Sequence, residues 1–112
     1  MHEVLFYSTP AGRDVVLDWI RSLDLAERKV IGEDLRAVQL GFPMGLPLCD
    51  NLGGGLWEVR SSLPSKREAR LVFFHSSKRQ ALIVVHGFIK KTQKTEPAAI
   101  ELATRRMREF QH

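Results

Sequence analysis

The spacing of apolar residues changes halfway along this chain of 112 residues, at the run Gly53-Gly54-Gly55. Before the glycines, apolar residues recur at helical spacing, as in Ile31, Leu35 and Val38. After them, apolar and polar residues alternate from 56 to 61, the pattern of a strand with one buried face. The change excludes an all-helical or all-strand fold and predicts a mixed domain.

The first half predicts one strand and two helices. Residues 4–7 form a short β-prone apolar run, and Thr9-Pro10 after it is typical of a helix start. Asp24 and Glu27 have capping-box spacing at the start of a second helix. The stretch 41–55 is rich in Gly and Pro, so we expect it to end this helix and form a surface loop.

The second half predicts an antiparallel meander of three strands, at 56–61, 69–75 and 81–89. Thr95 and Pro97 then indicate the start of a C-terminal helix. The predicted order is β-α-α-β-β-β-α. This is an α+β fold in which a small, mainly antiparallel sheet packs against helices.

Length and composition indicate one domain over residues 1–112, because a chain of this size can bury one core without disulfides or a structural metal. The lone Cys49 cannot form an internal disulfide. No run reaches the roughly 20 apolar residues of a membrane helix, and residues 1–8 lack the pattern of a signal peptide. We therefore expect a cytoplasmic protein that does not enter a membrane.

Charge is distributed unevenly between the two halves. Residues 1–56 contain 5 Lys and Arg against 8 Asp and Glu, a net charge of −3, whereas residues 57–112 contain 12 against 5, a net charge of +7. Such asymmetry favours a polyanionic or acidic protein partner. A solvated basic surface is the alternative.

Metal and cofactor motifs are missing from the sequence. The His and Cys residues show no CxxC or HxxxH spacing, and the glycine run is not followed by the Lys-Ser/Thr of a phosphate-binding loop. No GxSxG motif of a serine hydrolase is present. We expect neither a metal nor a small-molecule cofactor.

Cations on the predicted strands and strand ends are the remaining candidates for chemistry. Strand alternation places Arg60 and Arg70 on one face of neighbouring strands, and a planar guanidinium is suited to phosphate. Arg60 could instead form a cross-strand pair with Glu58 or Glu68. His86 is either a structural strand histidine or a catalytic one. Phe73, Phe74 and Phe88 are predicted core residues, and one of them could stack on a base if it faces the cationic side. Further cations lie in two loops: Lys66, Arg67, Lys90, Lys91 and Lys94.

Three segments in order, LGGGLWEVRS at 52–61, ARLVF at 69–73 and HGFIKKTQKT at 86–95, resemble the RelE/HigB toxins of type II toxin–antitoxin systems. The resemblance is strongest to the phage-derived, HigB-like branch of this RelE/ParE superfamily and spans nearly the whole chain. It implies a RelE-like fold and a metal-independent endoribonuclease that cleaves messenger RNA, commonly on the ribosome, and so inhibits translation. It also implies a cognate antitoxin, often a HigA-like helix-turn-helix protein.

The resemblance implies roles for several of these cations. Arg70 matches the arginine that holds the scissile phosphate. Lys91 and Lys94, and also Lys90, occupy the segment where the family places further catalytic or RNA-binding cations, and we expect Lys91 and Lys94 to be catalytic. Arg60 matches a cation that contacts the RNA backbone. The residues that we expect to bind RNA are Arg60, Lys66, Arg67, Lys90 and His86. The C-terminal Tyr or His acid/base of some relatives has no clear match, since Tyr7 is the only tyrosine and the tail offers only His112.

Two other functions fit the same scaffold. A ParE-like toxin would poison DNA gyrase and cut no RNA, but it would not need Arg60, Arg70 and the lysine segment together. A non-catalytic RNA-binding phage accessory protein would use the basic face without cleavage. A helix-turn-helix protein encoded by the neighbouring gene would favour the toxin.

Overall fold

The computed structural model describes residues 2–111. Its elements, in chain order, are β1 (Glu3–Phe6), α1 (Val15–Arg21), α2 (Leu25–Gly41), β2 (Cys49–Gly53), β3 (Leu56–Ser62), β4 (Glu68–Ser76), β5 (Ala81–Ile89) and α3 (Pro97–Gln111). No helix in this part of the chain is long and apolar enough to span a membrane.

The five strands form one sheet in the order β1-β5-β4-β3-β2. β1 runs parallel to β5, and every other neighbouring pair is antiparallel. The predicted meander β3-β4-β5 and the predicted α+β class are confirmed. The parallel pairing of β1 is possible because α1 and α2 carry the chain far from the N-terminal strand before the meander begins.

One strand was not predicted. The expected loop 41–55 contains β2, which pairs with β3 at the edge of the sheet, with Cys49 opposite Val59. Asp50, Asn51 and the glycines around them have low strand propensity, so the local sequence gave no sign of it. Backbone pairing to β3 and burial of Cys49 stabilise this short edge strand.

The first helix begins later than predicted. Thr9 and Pro10 do not start a helix but form a turn, in which the amides of Gly12 and Arg13 donate to the Thr9 carbonyl and hydroxyl oxygens at 2.8 and 3.0 Å. Gly12 has a φ of +86°, which interrupts helical geometry, and α1 begins at Val15. The capping box predicted at the start of α2 is confirmed.

The helices cover both faces of the sheet. Phe42, directly after α2, packs against Phe73 of β4 with ring centroids 5.5 Å apart. The next residue, Phe74, points to the opposite face and contacts Phe110 of α3 at 5.8 Å. The core therefore has two layers, and the α3 face of the sheet is the one that carries the predicted cations.

A β-bulge in β5 changes which side chains reach the α3 face. Phe73 is paired with Val84, whereas the preceding Val72 is paired with His86, so Val85 is an extra residue in β5. After the bulge, Gly87 faces α1, because a Cβ atom built on it would lie 2.6 Å from the Trp19 ring. His86 and Phe88 consequently face α3.

Candidate functional site

A cavity of about 310 Å³ opens on the α3 face of the sheet. Its floor is formed by β4 and β5, one wall by the first turns of α3, and the rim by the loop between β5 and α3. The polar and aromatic lining residues are Arg70, His86, Phe88, Lys90, Lys91, Thr92, Gln93, Lys94, Thr95 and Glu96. The structure thus brings five of the predicted site residues together in one cavity: Arg70, His86, Lys90, Lys91 and Lys94.

Arg70 forms part of the cavity floor and is only 3% exposed. Its Nε atom lies 3.7 Å from Oε1 of Glu58, and its Nη1 atom lies 3.6 Å from Oε1 of Glu68. Nη1 also donates a hydrogen bond to the carbonyl oxygen of Ala69 at 3.0 Å. Two carboxylates thus compensate this buried charge and hold the guanidinium in one place.

Glu58 connects Arg70 to the loop that rims the cavity. The Thr95 hydroxyl donates to Oε2 of Glu58 at 2.6 Å, just before α3 begins. At the other end of the loop, the amide of Lys90 donates to the carbonyl oxygen of Glu68 at 2.7 Å. Both ends of the loop between β5 and α3 are therefore fixed, one to β3 and the other to β4, the strand that carries Arg70.

Sequence reasoning treated Glu58 only as a possible partner of Arg60. The structure pairs it with Arg70, and Glu58 is itself buried. The sequence feature that could have predicted this pairing is the position of Glu58 in the alternating strand, on the same predicted face as the two arginines. A carboxylate on a face expected to bind phosphate is best explained by an internal partner.

The rim of the cavity is positively charged. Lys91 and Lys94 are exposed, Lys90 is half-buried, and Glu96 is the one carboxylate among the described lining residues. Arg70 is a fourth cation of the lining, but Glu58 and Glu68 already compensate its charge, so the three lysines supply the excess positive charge. Because three lysines surround the opening of the cavity, it can neutralise an anion that enters it.

Lys66 and Arg67 lie outside this cavity, along an adjoining surface groove that shares Lys90 and Lys91 with it. The Nη2 atom of Arg67 donates to Oε2 of the buried Glu27 at 2.7 Å. Hydrogen bonds from Ser65 and Arg67 hold the pKa of Glu27 below its usual value. Arg67 thus fastens the β3–β4 loop to α2, while Lys66 remains exposed.

Arg60 extends the positive surface beyond the cavity. It stands directly opposite Arg70 in the β3–β4 register and is half-exposed. Within residues 2–111, no carboxylate lies at ion-pair distance from its guanidinium. The predicted placement of the two arginines on one face is confirmed.

The rings of His86 and Phe88 stack on the cavity floor, with centroids 5.2 Å apart and planes inclined by 28°. Burial, together with the positive charge of Arg106 on α3, lowers the pKa of His86 from its usual value. The neutral imidazole is therefore favoured. Phe73 and Phe74 are fully buried core residues, whereas Phe88 is part of the cavity.

Tyr7 does not line the cavity but anchors α3 to the rest of the fold. It is buried, and its hydroxyl donates a short hydrogen bond to the carboxylate of Glu109, which raises the pKa of Tyr7. The Arg106 guanidinium lies 5.0 Å from the centre of the Tyr7 ring and donates to the carbonyl oxygen of Val85 at 2.8 Å. His112 lies outside the described residues.

Comparison with known proteins identifies the fold and the family. The crystal structure of the isolated E. coli RelE toxin is similar to this chain, with a TM-score of 0.55 and 16% sequence identity over 90% of this chain and 97% of that chain. No curated protein matches the sequence. The sequence profile of the family described as phage derived protein Gp49-like matches residues 18–108, which is most of the chain. The structural match confirms the RelE-like fold, and the match of the sequence profile over most of the chain shows that the chain belongs to the Gp49-like family of phage-derived proteins.

Proposed function

We propose that this protein is the toxin of a toxin–antitoxin pair and that it acts as a metal-independent endoribonuclease on messenger RNA. The observation that carries the proposal is the cavity on the α3 face, with a fixed Arg70 on its floor and three lysines around its opening. The RelE-like fold and the Gp49-like family support the same assignment.

The reaction requires charge stabilisation at the phosphate. The 2′-oxygen of one nucleotide attacks the adjacent phosphorus, and the bond from phosphorus to the 5′-oxygen breaks. Negative charge accumulates on the phosphoryl oxygens during this step, and preorganised cations stabilise it most effectively when they need not reorganise. Arg70 is held by Glu58 and Glu68, so its position is already set before RNA binds.

Lys91 and Lys94 lie where RNA would cross the rim, and either ammonium group can protonate the leaving 5′-oxygen. Arg60, Lys66 and Lys90 lie along the surface outside the cavity floor, where they can contact the RNA backbone. Arg67 adds a further guanidinium to this surface, although it is paired with Glu27. Together, these cations define a path for a single strand across the α3 face.

The same positive surface suits the two proposed partners. Messenger RNA on the ribosome presents an accessible single strand, which the cavity can bind through its phosphates. A cognate antitoxin can silence the toxin by laying an acidic segment across the cavity, since complementary charge favours this orientation. A HigA-like helix-turn-helix protein fits the implied family pattern.

Lysine variants provide the cleanest test because Arg70 is buried. Truncating Arg70 would leave Glu58 without its partner, and breaking a buried ion pair typically costs about 3–5 kcal/mol. The double variant Lys91→Ala/Lys94→Ala removes two exposed charges instead. Its control is Lys29→Ala/Lys78→Ala, which removes two exposed lysines remote from the cavity, on α2 and in the β4–β5 turn.

Each variant is expressed in bacteria from an inducible promoter, and growth and new messenger RNA 5′ ends are followed. We expect wild type and control to arrest growth with cuts inside translated codons, and the cavity variant to lose at least about 10-fold of the cleavage. Arrest without cuts would instead indicate a gyrase poison. Unchanged cleavage in the cavity variant would exclude the two lysines from the reaction.

A further inference from the structure

The β-bulge at Val85 determines that His86 shares a cavity with Arg70. At the start of the hairpin, Ile83 is paired with Phe74, which faces α3. Regular alternation from Ile83 would turn residue 85 toward α3 and residue 86 toward α1. The extra residue reverses this, and His86 lies opposite Val72 on the α3 face.

Contacts from α3 and α1, and one within β5 itself, hold the bulged segment in place. Arg106 of α3 donates to the carbonyl oxygen of the bulged Val85, and its guanidinium is itself fixed over the Tyr7 ring. Trp19 of α1 packs directly on Gly87. Phe88 stacks on the imidazole of His86. These contacts fix the register of β5 after the bulge and with it the direction of the His86 side chain.

The surroundings of His86 favour its neutral form. The charged residues that line a cavity together with His86, within residues 2–111, are Arg70 from β4, Lys90, Lys91, Lys94 and Glu96 from the loop, and Arg106 from α3. Glu58 and Glu68 already balance the charge of Arg70. Toward α1, it borders a small cavity of about 170 Å³ whose other side chains are apolar except for Arg106. Burial and Arg106 lower the pKa of His86 below the usual 6.5, so the imidazole can accept a proton at pH 7.

We propose that His86 is the general base of the cleavage reaction, an assignment that rests on the proposed ribonuclease function. A neutral ring nitrogen takes the proton of the 2′-hydroxyl as the 2′-oxygen forms its bond to phosphorus. The bond from phosphorus to the 5′-oxygen breaks, and the electron pair leaves with that oxygen, which takes a proton from Lys91 or Lys94. The products are a 2′,3′-cyclic phosphate and a free 5′-hydroxyl, and solvent restores both side chains.

Among the cavity residues, His86 is suited to this role by its chemistry. The arginine and the lysines are cations that serve as proton donors or charge stabilisers near neutral pH, and Glu96 is exposed at the rim. An imidazole accepts and returns protons in this pH range.

The test measures single-turnover cleavage of ribosome-bound messenger RNA by the purified protein between pH 5.5 and 8. Wild type should lose activity on the acid side, below pH 6.5, as His86 becomes protonated. His86→Gln should cleave at least about 100-fold more slowly and lose this acid limb. The matched control is His75→Gln, an exposed histidine near the other end of the same hairpin, which should behave as wild type.

A second measurement uses wild type alone, in case His86→Gln does not fold. The NMR titration of the His86 ring should have the same midpoint as the kinetic acid limb, and different midpoints would overturn the assignment. Cleavage by folded His86→Gln at the wild-type rate and with the wild-type pH profile would also overturn it, while leaving the ribonuclease function intact. A wild-type protein that cleaves no RNA would refute the proposed function and this assignment with it.

Discussion

Replacing Gly87 with alanine should destabilise the protein, because the added methyl group would clash with the ring of Trp19. A Cβ atom at this position would lie 2.6 Å from Cε3 and 2.7 Å from Cζ3 of Trp19, whereas ordinary contacts begin near 3.4 Å. The indole must therefore retreat by about 0.7 Å or more, and it cannot bend as a flexible side chain would. Overpacking of this kind typically costs about 1–3 kcal/mol.

The smaller conformational freedom of alanine in the unfolded chain offsets about 0.4–1 kcal/mol of this cost. We therefore expect Gly87→Ala to reduce the free energy of unfolding by about 1–2 kcal/mol. For a domain of this size, that corresponds to a Tm lower by about 4–8 °C. Equilibrium denaturation in urea, followed by tryptophan fluorescence and circular dichroism, measures it directly.

Gly32→Ala is the matched control. Gly32 lies within α2, and a Cβ atom there would meet nothing within 4 Å. Since alanine is the better helix former by up to about 1 kcal/mol, this variant should be as stable as wild type or more so. Adding Trp19→Leu to Gly87→Ala should restore part of the lost free energy of unfolding, because leucine is smaller and more flexible than the indole that the new methyl group meets. Wild-type stability of Gly87→Ala would refute the reasoning.

Two further predictions concern buried titratable groups. Glu27→Gln should destabilise the protein at pH 7, because it weakens the bonds from Ser65 and Arg67. The lowered pKa of Glu27 means that its stabilising contribution is present above pH 4.5 and is lost as the pH falls through the folded-state value, so the deficit of the variant should shrink on acidification. Denaturation curves at pH 7 and pH 3 measure the difference in free energy of unfolding between wild type and variant. An equal difference at both pH values would contradict the prediction. Cys49 is fully buried, and burial with nearby carboxylates raises its pKa to about 11. A disulfide reagent at pH 8 should therefore label it only after unfolding, and rapid labelling of native protein would disprove its inertness.

Elements defined by neighbouring residues were predictable. The capping box at Asp24 and Glu27, the alternation in β3 and the proline at the start of α3 each depend on contacts within a few residues. Such patterns require no knowledge of the rest of the chain. The predicted start of α1 was wrong because the same local residues can also form a turn. The structure has that turn at Thr9–Arg13, with a positive φ at Gly12.

The candidate site was predictable in composition but not in arrangement. Alternation placed Arg70 on the cationic face, and the lysine segment was expected to lie nearby. The structure brings these residues to one cavity. It also shows that Arg70 is buried between Glu58 and Glu68, a pairing that depends on the β3–β4 register and the adjacent loop. The roles of these residues in RNA cleavage stay predictions.

The sequence by itself determined the fold class, the meander, the end helix and the charge of one face, because hydrophobic period, caps and charge are properties of short segments. Only the tertiary structure decided the edge strand β2, the carboxylate partners of Arg70 and the bulge that turns His86 toward it. Each of these depends on backbone pairing or packing between segments distant in the chain. A single extra residue at Val85 moves every following side chain of β5 to the other face, and no local pattern specifies where that residue is inserted.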